Sequence, residues 1–465
     1  MAATGAHEFG AEDWEMFRSI GRRIDRQQFE AFQAQGEQCG WCRHPIRIRG
    51  TVIDHASDSP RLTFWTARLP DGVTLKGCGS RRETHCPACA ALYRGDARHL
   101  VRAGLVGGKG IPESVVEHPV IFLTLTAPSF GAVHAEAAGG PCRPGSPAAR
   151  CRHGRARSCS SRHDGRSDVV GSPLCHECYD YAGAVLHNAC TPELWRRTMI
   201  SMHRQLAAAL GCTQSDAKQL VRLSFCRVAE YQRRGIVHLH AVIRADGPEQ
   251  TLPVVSPEQL VQAALRAANG VTIVHPRGAA RWGEQIDVQV LERSEKQRAK
   301  AVASYVAKYA TKSSDDSGAL DVRIRSEWDL AKRRLPAHLH RMAEVSWELG
   351  GVAAFEQWHL RRHAHSLGYG GHFLSKSKGY STTLGALRAA RQQWQVERAP
   401  KSVESDDRSL HARWRAVGIG WANEGEATWA EAQRRRREDE RRCALEDFYS
   451  RERPEWPASG AGEPF

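Results

Sequence analysis

Val237-His238-Leu239-His240-Ala241-Val242-Ile243 is the stretch on which the reading of this chain turns. It is apolar and β-branched, as is the segment 221–228, so residues 221–228 and 236–243 both read as strands. Between them Tyr231-Gln232-Arg233-Arg234-Gly235 is polar and ends in glycine, the composition of a hairpin connection. Side chains alternate along a strand, so His238 and His240 share one face and Leu239 takes the other. A hairpin centred near Arg234 sets Glu230 opposite His238, and a slip of one residue would turn the carboxylate away. Two neutral imidazoles and a carboxylate on one face can hold Mg²⁺ or Mn²⁺ and leave positions open for substrate oxygens. Taken alone, a His-x-His pair is better explained as two satisfied histidines, and the carboxylate placed by the hairpin brings the two readings level.

The next informative segment lies downstream. Residues 294–311 contain neither Gly nor Pro and are dominated by helix formers. On a helix, Tyr305 and Tyr309 stack one turn apart, with Lys308 and Lys312 beside them at the same spacing. A phenol has a pKa of about 10 and is a poor nucleophile at neutral pH. Neighbouring ammonium groups favour the phenolate, and a metal that polarises a phosphate lowers the demand on the nucleophile. One Tyr-x-x-Lys is better explained as an amphipathic helix with lysines at its edge. A doubled one, downstream of a His-x-His strand, is a far rarer coincidence.

With both motifs in hand the chain resembles the HUH endonucleases, which start rolling-circle replication. Tyr305 and Tyr309 resemble the motif of the two-tyrosine replication proteins of small single-stranded DNA phages. The Glu230-to-His238 spacing resembles the carboxylate–HUH arrangement of viral initiators. Phe122-Leu123-Thr124-Leu125-Thr126-Ala127-Pro128 is similar to their first motif, a strand beside the HUH strand. The resemblance is closer still to the RepSA-type replication initiators of actinobacterial plasmids and integrative conjugative elements. It is carried by residues 124–131, 178–186, 229–235 and 380–388, all within 39–395.

The resemblance implies an α+β fold: an RRM-like, ferredoxin-type antiparallel sheet with zinc-binding modules and a helical C-terminal region. It implies a metal on His238, His240 and Glu230, attack by one tyrosine on an origin phosphodiester, a 5′-phosphotyrosine link and a freed 3′-hydroxyl. The second tyrosine, or that hydroxyl, reverses the chemistry, so no nucleotide cofactor is needed. The implied partners are origin DNA, single-stranded or supercoiled, and a host helicase and polymerase. Rival readings are a rolling-circle transposase with the same chemistry and a non-enzymatic zinc protein that regulates DNA. A conjugative relaxase would carry a three-histidine cluster, which the chain lacks.

Composition agrees with a polyanionic partner: 66 Lys+Arg against 52 Asp+Glu leave +14 over 465 residues. No run approaches the ~18 apolar residues of a membrane span, and the acidic start of the chain is no signal peptide, so a cytoplasmic protein is expected. Gly104 to Gly110 invites a P-loop reading, but Ala103 stands where the first glycine is required and Gly110 where Ser/Thr is. Unwinding is then left to a host helicase.

Fourteen cysteines in such a compartment argue for metal rather than disulfides. Cys39-x-x-Cys42 and Cys86-x-x-Cys89 form a tetrathiolate zinc signature, with Cys78 and His85 as substitutes. Cys151, Cys159, Cys175 and Cys178 form a second set, with His153 and His176 as substitutes. They sit in a Gly/Ser/Arg/Pro-rich stretch that cannot bury a core alone and would gain folding free energy from a structural zinc.

The expected organisation is therefore a helical N-terminus (1–38), a zinc module (39–115), a nuclease domain (116–320) with a second zinc module inserted at 139–180, a basic helical region (321–400) and a charged helical tail with a disordered end (401–465). Within the nuclease domain, strands are expected at 119–126 and near 285–291, a helix at 192–210, and helices on one face of an antiparallel sheet.

Overall fold

The structure is a computed structural model that describes residues 10–55, 60–136, 139–165, 167–291, 302, 306, 322–398 and 410–451. The expected tyrosine helix, with Tyr305, Lys308, Tyr309 and Lys312, lies outside the described residues. The chain divides into two units, one formed by Met1–Leu92 with Pro400–Phe465, the other by Tyr93–Ala399.

The first unit opens with α1 (Ala11–Asp25), α2 (Phe29–Gln38), β1 (Ile46–Asp54), β2 (Arg61–Trp65) and β3 (Thr74–Lys76), followed by α3 (Pro87–Val106), whose residues from Tyr93 onward belong to the second unit. The second unit continues with β4 (Val120–Leu125), α4 (Tyr181–Ala209), α5 (Gln214–Leu220), β5 (Arg222–Tyr231) and β6 (Val237–Asp246). It then adds α6 (Pro257–Gly270), β7 (Thr272–His275), β8 (Gly278–Arg281), β9 (Ile286–Val290), α7 (Glu327–Ala331), α8 (Ala337–Leu349), β10 (Leu374–Lys376) and α9 (Leu384–Arg398). The chain returns to the first unit with β11 (Leu410–Ile419) and α10 (Glu424–Arg451).

In the first unit β11 pairs antiparallel along the whole of β1, which also carries β2 and β3. α1 packs on α10, and Arg23 is buried between Glu426 and Asp71, donating from Nε to Glu426 Oε1 at 2.9 Å. The expected charged tail therefore ends up as an integral strand and helix. β11 is almost wholly exposed and carries no apolar alternation, so its ladder partner was invisible to periodicity.

The second unit is built on a five-stranded antiparallel sheet of order β10-β5-β6-β4-β9. Its central strands are apolar on both faces. Ile121, Leu123, Leu125, Leu239, Ala241 and Ile243 point into the larger core, under α4, α6 and α8. Val120, Phe122, Cys226, Val228 and Val242 point into a second cluster completed by Tyr93, Ala97, Leu100, Val101 and Leu105 of α3, by Tyr380 and Leu387, and by Val302 and Val306. The one-sided cover expected above is thus corrected to two-sided cover. The helical spacing of 93, 97, 100, 101 and 105 supplies the second layer from a segment assigned to the zinc module. The unit is α+β, as expected.

Two further elements differ from expectation. α4 begins at Tyr181, not 192, because Asp180 caps it by accepting from the Gly183 amide at 2.9 Å, and Pro192 is tolerated inside. The basic region 321–400 is not wholly helical: β10 pairs with β5 and extends the sheet.

Within the second cluster lies a buried charge network. Arg244 donates from Nε to Asp246 Oδ1 at 2.5 Å, from Nη2 to Oδ2 at 3.1 Å, and from Nη1 to the Gly104 carbonyl, while His118 Nδ1 lies 2.7 Å from Asp246 Oδ1. Asp246→Ala would strand a guanidinium in the interior. It is expected to cost about 3–5 kcal/mol of stability, read as a lowered urea midpoint. A loss below about 1 kcal/mol would show that the guanidinium finds other partners.

Among the described residues no helix is long and apolar enough to cross a membrane.

Candidate active site

The β5–β6 hairpin has the register that the spacing predicts: Glu230 pairs with His238, and Val228 with His240. Gly235 adopts φ +73° at the turn, and a Cβ there would fall 2.7 Å from Met342 Sδ, so both conformation and space require glycine. Buried Asn188 of α4 holds both sides of the turn exit, donating to the Gly235 carbonyl and accepting from the Val237 amide, each at 2.9 Å.

Glu230, His238 and His240 therefore share the sheet face that carries the second cluster. His240 is buried, its ring parallel to Phe122 at 5.8 Å. Its Nδ1 lies 3.2 Å from Thr124 Oγ1 on the neighbouring strand, and its Nε2 lies 3.1 Å from Glu230 Oε2. His238 lies beside it, its ring tilted by 31° with centroids 4.6 Å apart, and its Nδ1 is 3.4 Å from Gln232 Nε2. Burial, reinforced by the charges of His240 and Arg234, pushes the His238 pKa down to about 3, so the ring is neutral at physiological pH. Its Nε2 is buried and has no hydrogen-bond partner among the described residues.

A neutral imidazole with an unmatched nitrogen, a second imidazole oriented by a hydroxyl and a carboxylate are a donor set suited to a divalent cation. The three donor atoms do not all lie within 4.8 Å of one another, as those of the cysteine clusters do. Glu230 bonds His240 instead, and a cation would replace that hydrogen bond. Thr124 and Phe122 were missed as supports of His240 because cross-strand neighbours follow from the β4–β6 register, which sequence spacing does not contain.

Tyr305, Lys308, Tyr309 and Lys312 lie outside the described residues. Val302 and Val306 are described. Both are helical, and Val306 is fully buried in the cluster on the Glu230–His238–His240 face.

The cysteines gather differently from the expected sets. In the first unit Cys42, Cys78, Cys86 and Cys89 converge, with sulfur separations of 3.6 Å (Cys42–Cys86) and 3.7 Å (Cys78–Cys89, Cys42–Cys89). Cys39 is not a member. It closes α2, and its thiol donates to the Gly36 carbonyl at 3.3 Å. β3 instead delivers Cys78, whose backbone amide donates to Cys42 Sγ at 3.2 Å. In the second unit Cys151, Cys175 and Cys178 meet as expected, but the fourth member is His153 and not Cys159, which lies in a separate group.

The sequence model of the RepSA family (replication initiator protein, pSAM2) matches residues 28–435. A replication initiator protein of Streptomyces ambofaciens is 38% identical over 403 residues, spanning 82% of this chain and 82% of its own. No solved structure gives a significant match. The sheets, the Glu230–His238–His240 face and the cysteine groups of the described residues fall inside the matched residues, and the chain belongs to the RepSA family of replication initiator proteins.

Proposed function

We propose that this initiator is an HUH endonuclease that nicks its replication origin through a 5′-phosphotyrosine intermediate, on an RRM-like nuclease domain formed by the second unit. The observation that carries the reading is the burial of Val306, next in sequence to Tyr305, on the sheet face that presents Glu230, His238 and His240.

In this reading Glu230, His238 and His240 hold Mg²⁺ or Mn²⁺. The bound cation supplies positive charge at the scissile phosphate. The phenolate oxygen of Tyr305 or Tyr309 attacks the phosphorus, having given its proton to solvent. The bond from phosphorus to the 3′-oxygen breaks, and that oxygen takes a proton from water to become a 3′-hydroxyl for a host polymerase. Lys308 and Lys312, each three residues after a tyrosine, favour the phenolates. The second tyrosine or the 3′-hydroxyl later reverses the linkage, so rejoining needs no nucleotide. A host helicase opens the duplex.

The test is incubation of the protein with single-stranded DNA of its own origin and Mn²⁺, read on a denaturing gel. A metal-dependent cut strand joined to protein supports the reading. Tight binding without a cut would leave a zinc-dependent DNA regulator in its place.

Cys42, Cys78, Cys86 and Cys89 hold a structural zinc in this account, and Cys151, His153, Cys175 and Cys178 another. Cys78→Ser is expected to remove about one equivalent of zinc per chain, while Cys39→Ser leaves the content unchanged. Elemental analysis of the purified variants decides between this set and the doubled Cys-x-x-Cys set, for which the two outcomes would be reversed.

A further inference from the structure

The group that contains Cys159 is complete in itself. His134, Cys142, Cys159 and His163 bring their ligand atoms together as closely as the two sets above. A tetrahedral zinc, with bonds of about 2.3 Å to sulfur and about 2.0 Å to nitrogen, sets a sulfur and a nitrogen about 3.5 Å apart and two nitrogens about 3.3 Å apart. Here Cys142 Sγ lies 3.6 Å from His134 Nδ1, Cys159 Sγ 3.4 Å from His163 Nε2, and His163 Nε2 3.2 Å from His134 Nδ1. The neighbouring set matches equally well, with His153 Nδ1 3.2 Å from Cys178 Sγ and 3.6 Å from Cys175 Sγ. The Ala135 amide also donates to Cys142 Sγ at 3.2 Å, a bond that favours a thiolate.

We infer that residues 134–178 form one module holding two zinc ions through interleaved ligand pairs, and that this module braces the turn between Glu230 and His238. Along the chain the pairs run His134/Cys142, Cys151/His153, Cys159/His163, Cys175/Cys178. The first and third pairs make one site, the second and fourth the other. Neither site can close without ordering the loop that carries the other.

The segment has little else to fold it. Among its described residues the buried side chains are Cys142, Pro173 and Cys175. Its described residues form no helix or strand, and its backbone is joined by turn hydrogen bonds and isolated bridges, such as Arg143 with Cys159, Arg150 with Ala156 and Val133 with Pro173. So small an apolar content cannot offset chain entropy, and two closed tetrahedra can.

The module reaches the hairpin by two routes. Gly171, at φ +90°, passes so close to the turn that a Cβ on it would lie 2.4 Å from the Arg233 carbonyl carbon, and Arg233 Nη2 donates to the Gly165 carbonyl. The other route is a relay. His176 sits between the ligands Cys175 and Cys178, and its Nδ1 lies 2.7 Å from Tyr181 Oη. Tyr181 Oη lies 3.1 Å from His338 Nδ1, and His338 Nε2 lies 3.0 Å from the Arg234 carbonyl at the turn. A carbonyl only accepts, so His338 carries its proton on Nε2, Tyr181 donates to its Nδ1, and His176 donates to Tyr181.

Elemental analysis of the full wild-type chain is expected to give three zinc ions per chain, one in the first unit and two here. Cys142→Ser/Cys159→Ser should hold no more than two. Should that variant fail to fold, cadmium NMR of the substituted wild type reads the same point, with three resonances for S₄, S₃N and S₂N₂ coordination. A zinc content in Cys142→Ser/Cys159→Ser equal to that of the wild type, or a cadmium spectrum without the S₂N₂ resonance, would overturn the added site. For the brace, His176→Phe removes the relay and leaves every ligand in place. It should keep three zinc ions while amide exchange across residues 232–237 quickens at least tenfold. Unchanged exchange with the zinc retained would overturn the brace and leave the two-metal module standing.

Discussion

Tyr305→Phe/Tyr309→Phe is expected to abolish covalent capture of origin DNA and to lower strand cleavage by about 10⁴-fold or more, the scale of losing a nucleophile outright. Phenylalanine keeps the ring and removes the attacking oxygen alone, so origin binding should stay within about threefold. Each single variant tells how the work is divided. Lys308 and Lys312 stand in the same relation to the two tyrosines, so neither phenol is favoured by its charged neighbour. If both can initiate, each single variant retains adduct and only the double loses it. Cleavage by the double variant at the wild-type rate would remove tyrosine chemistry from the account.

His238→Ala carries the second large effect, a fall in cleavage of about 10³-fold, corresponding to about 4 kcal/mol of transition-state stabilisation. His238 is the informative ligand because its Nε2 makes no hydrogen bond among the described residues. Removing it breaks no hydrogen bond between that nitrogen and the described residues, so a large loss of activity reports on what the nitrogen binds. His240 is less clean, being held by Thr124 and Glu230 and packed on Phe122. Circular dichroism and origin binding should match the wild type in His238→Ala. Full Mn²⁺-dependent cleavage by this variant would mean that the cation, if one is needed, binds elsewhere.

The hairpin was legible because three signals agree there: two apolar runs, a polar glycine-ended link, and a carboxylate and histidine equidistant from its centre. The strand expected at 119–126 is β4, Val120–Leu125, for the same reason of continuous apolar character. Metal ligand sets were less legible. Cys39-x-x-Cys42 reads as a knuckle in one dimension, but α2 runs to Gln38 and turns Cys39 to its own end, leaving a vacancy that β3 fills with Cys78. Interleaving is less visible still, since the split of eight ligands between two ions depends on which loops meet. The second layer over the sheet escaped because Tyr93–Leu105 follows Cys86-x-x-Cys89 in one helix, and the cysteines dominated the reading of that segment. β10 is too short, and β11 too exposed on both faces, for periodicity to announce either.

The most direct test of the central claim is to trap the reaction on origin single strand with Mn²⁺, digest the adduct with trypsin and nuclease, and locate the modified residue by mass spectrometry. The account predicts a nucleotide joined through its 5′-phosphate to Tyr305 or Tyr309. A cut strand with an unblocked 5′-phosphate, or a linkage to any other residue, would contradict it.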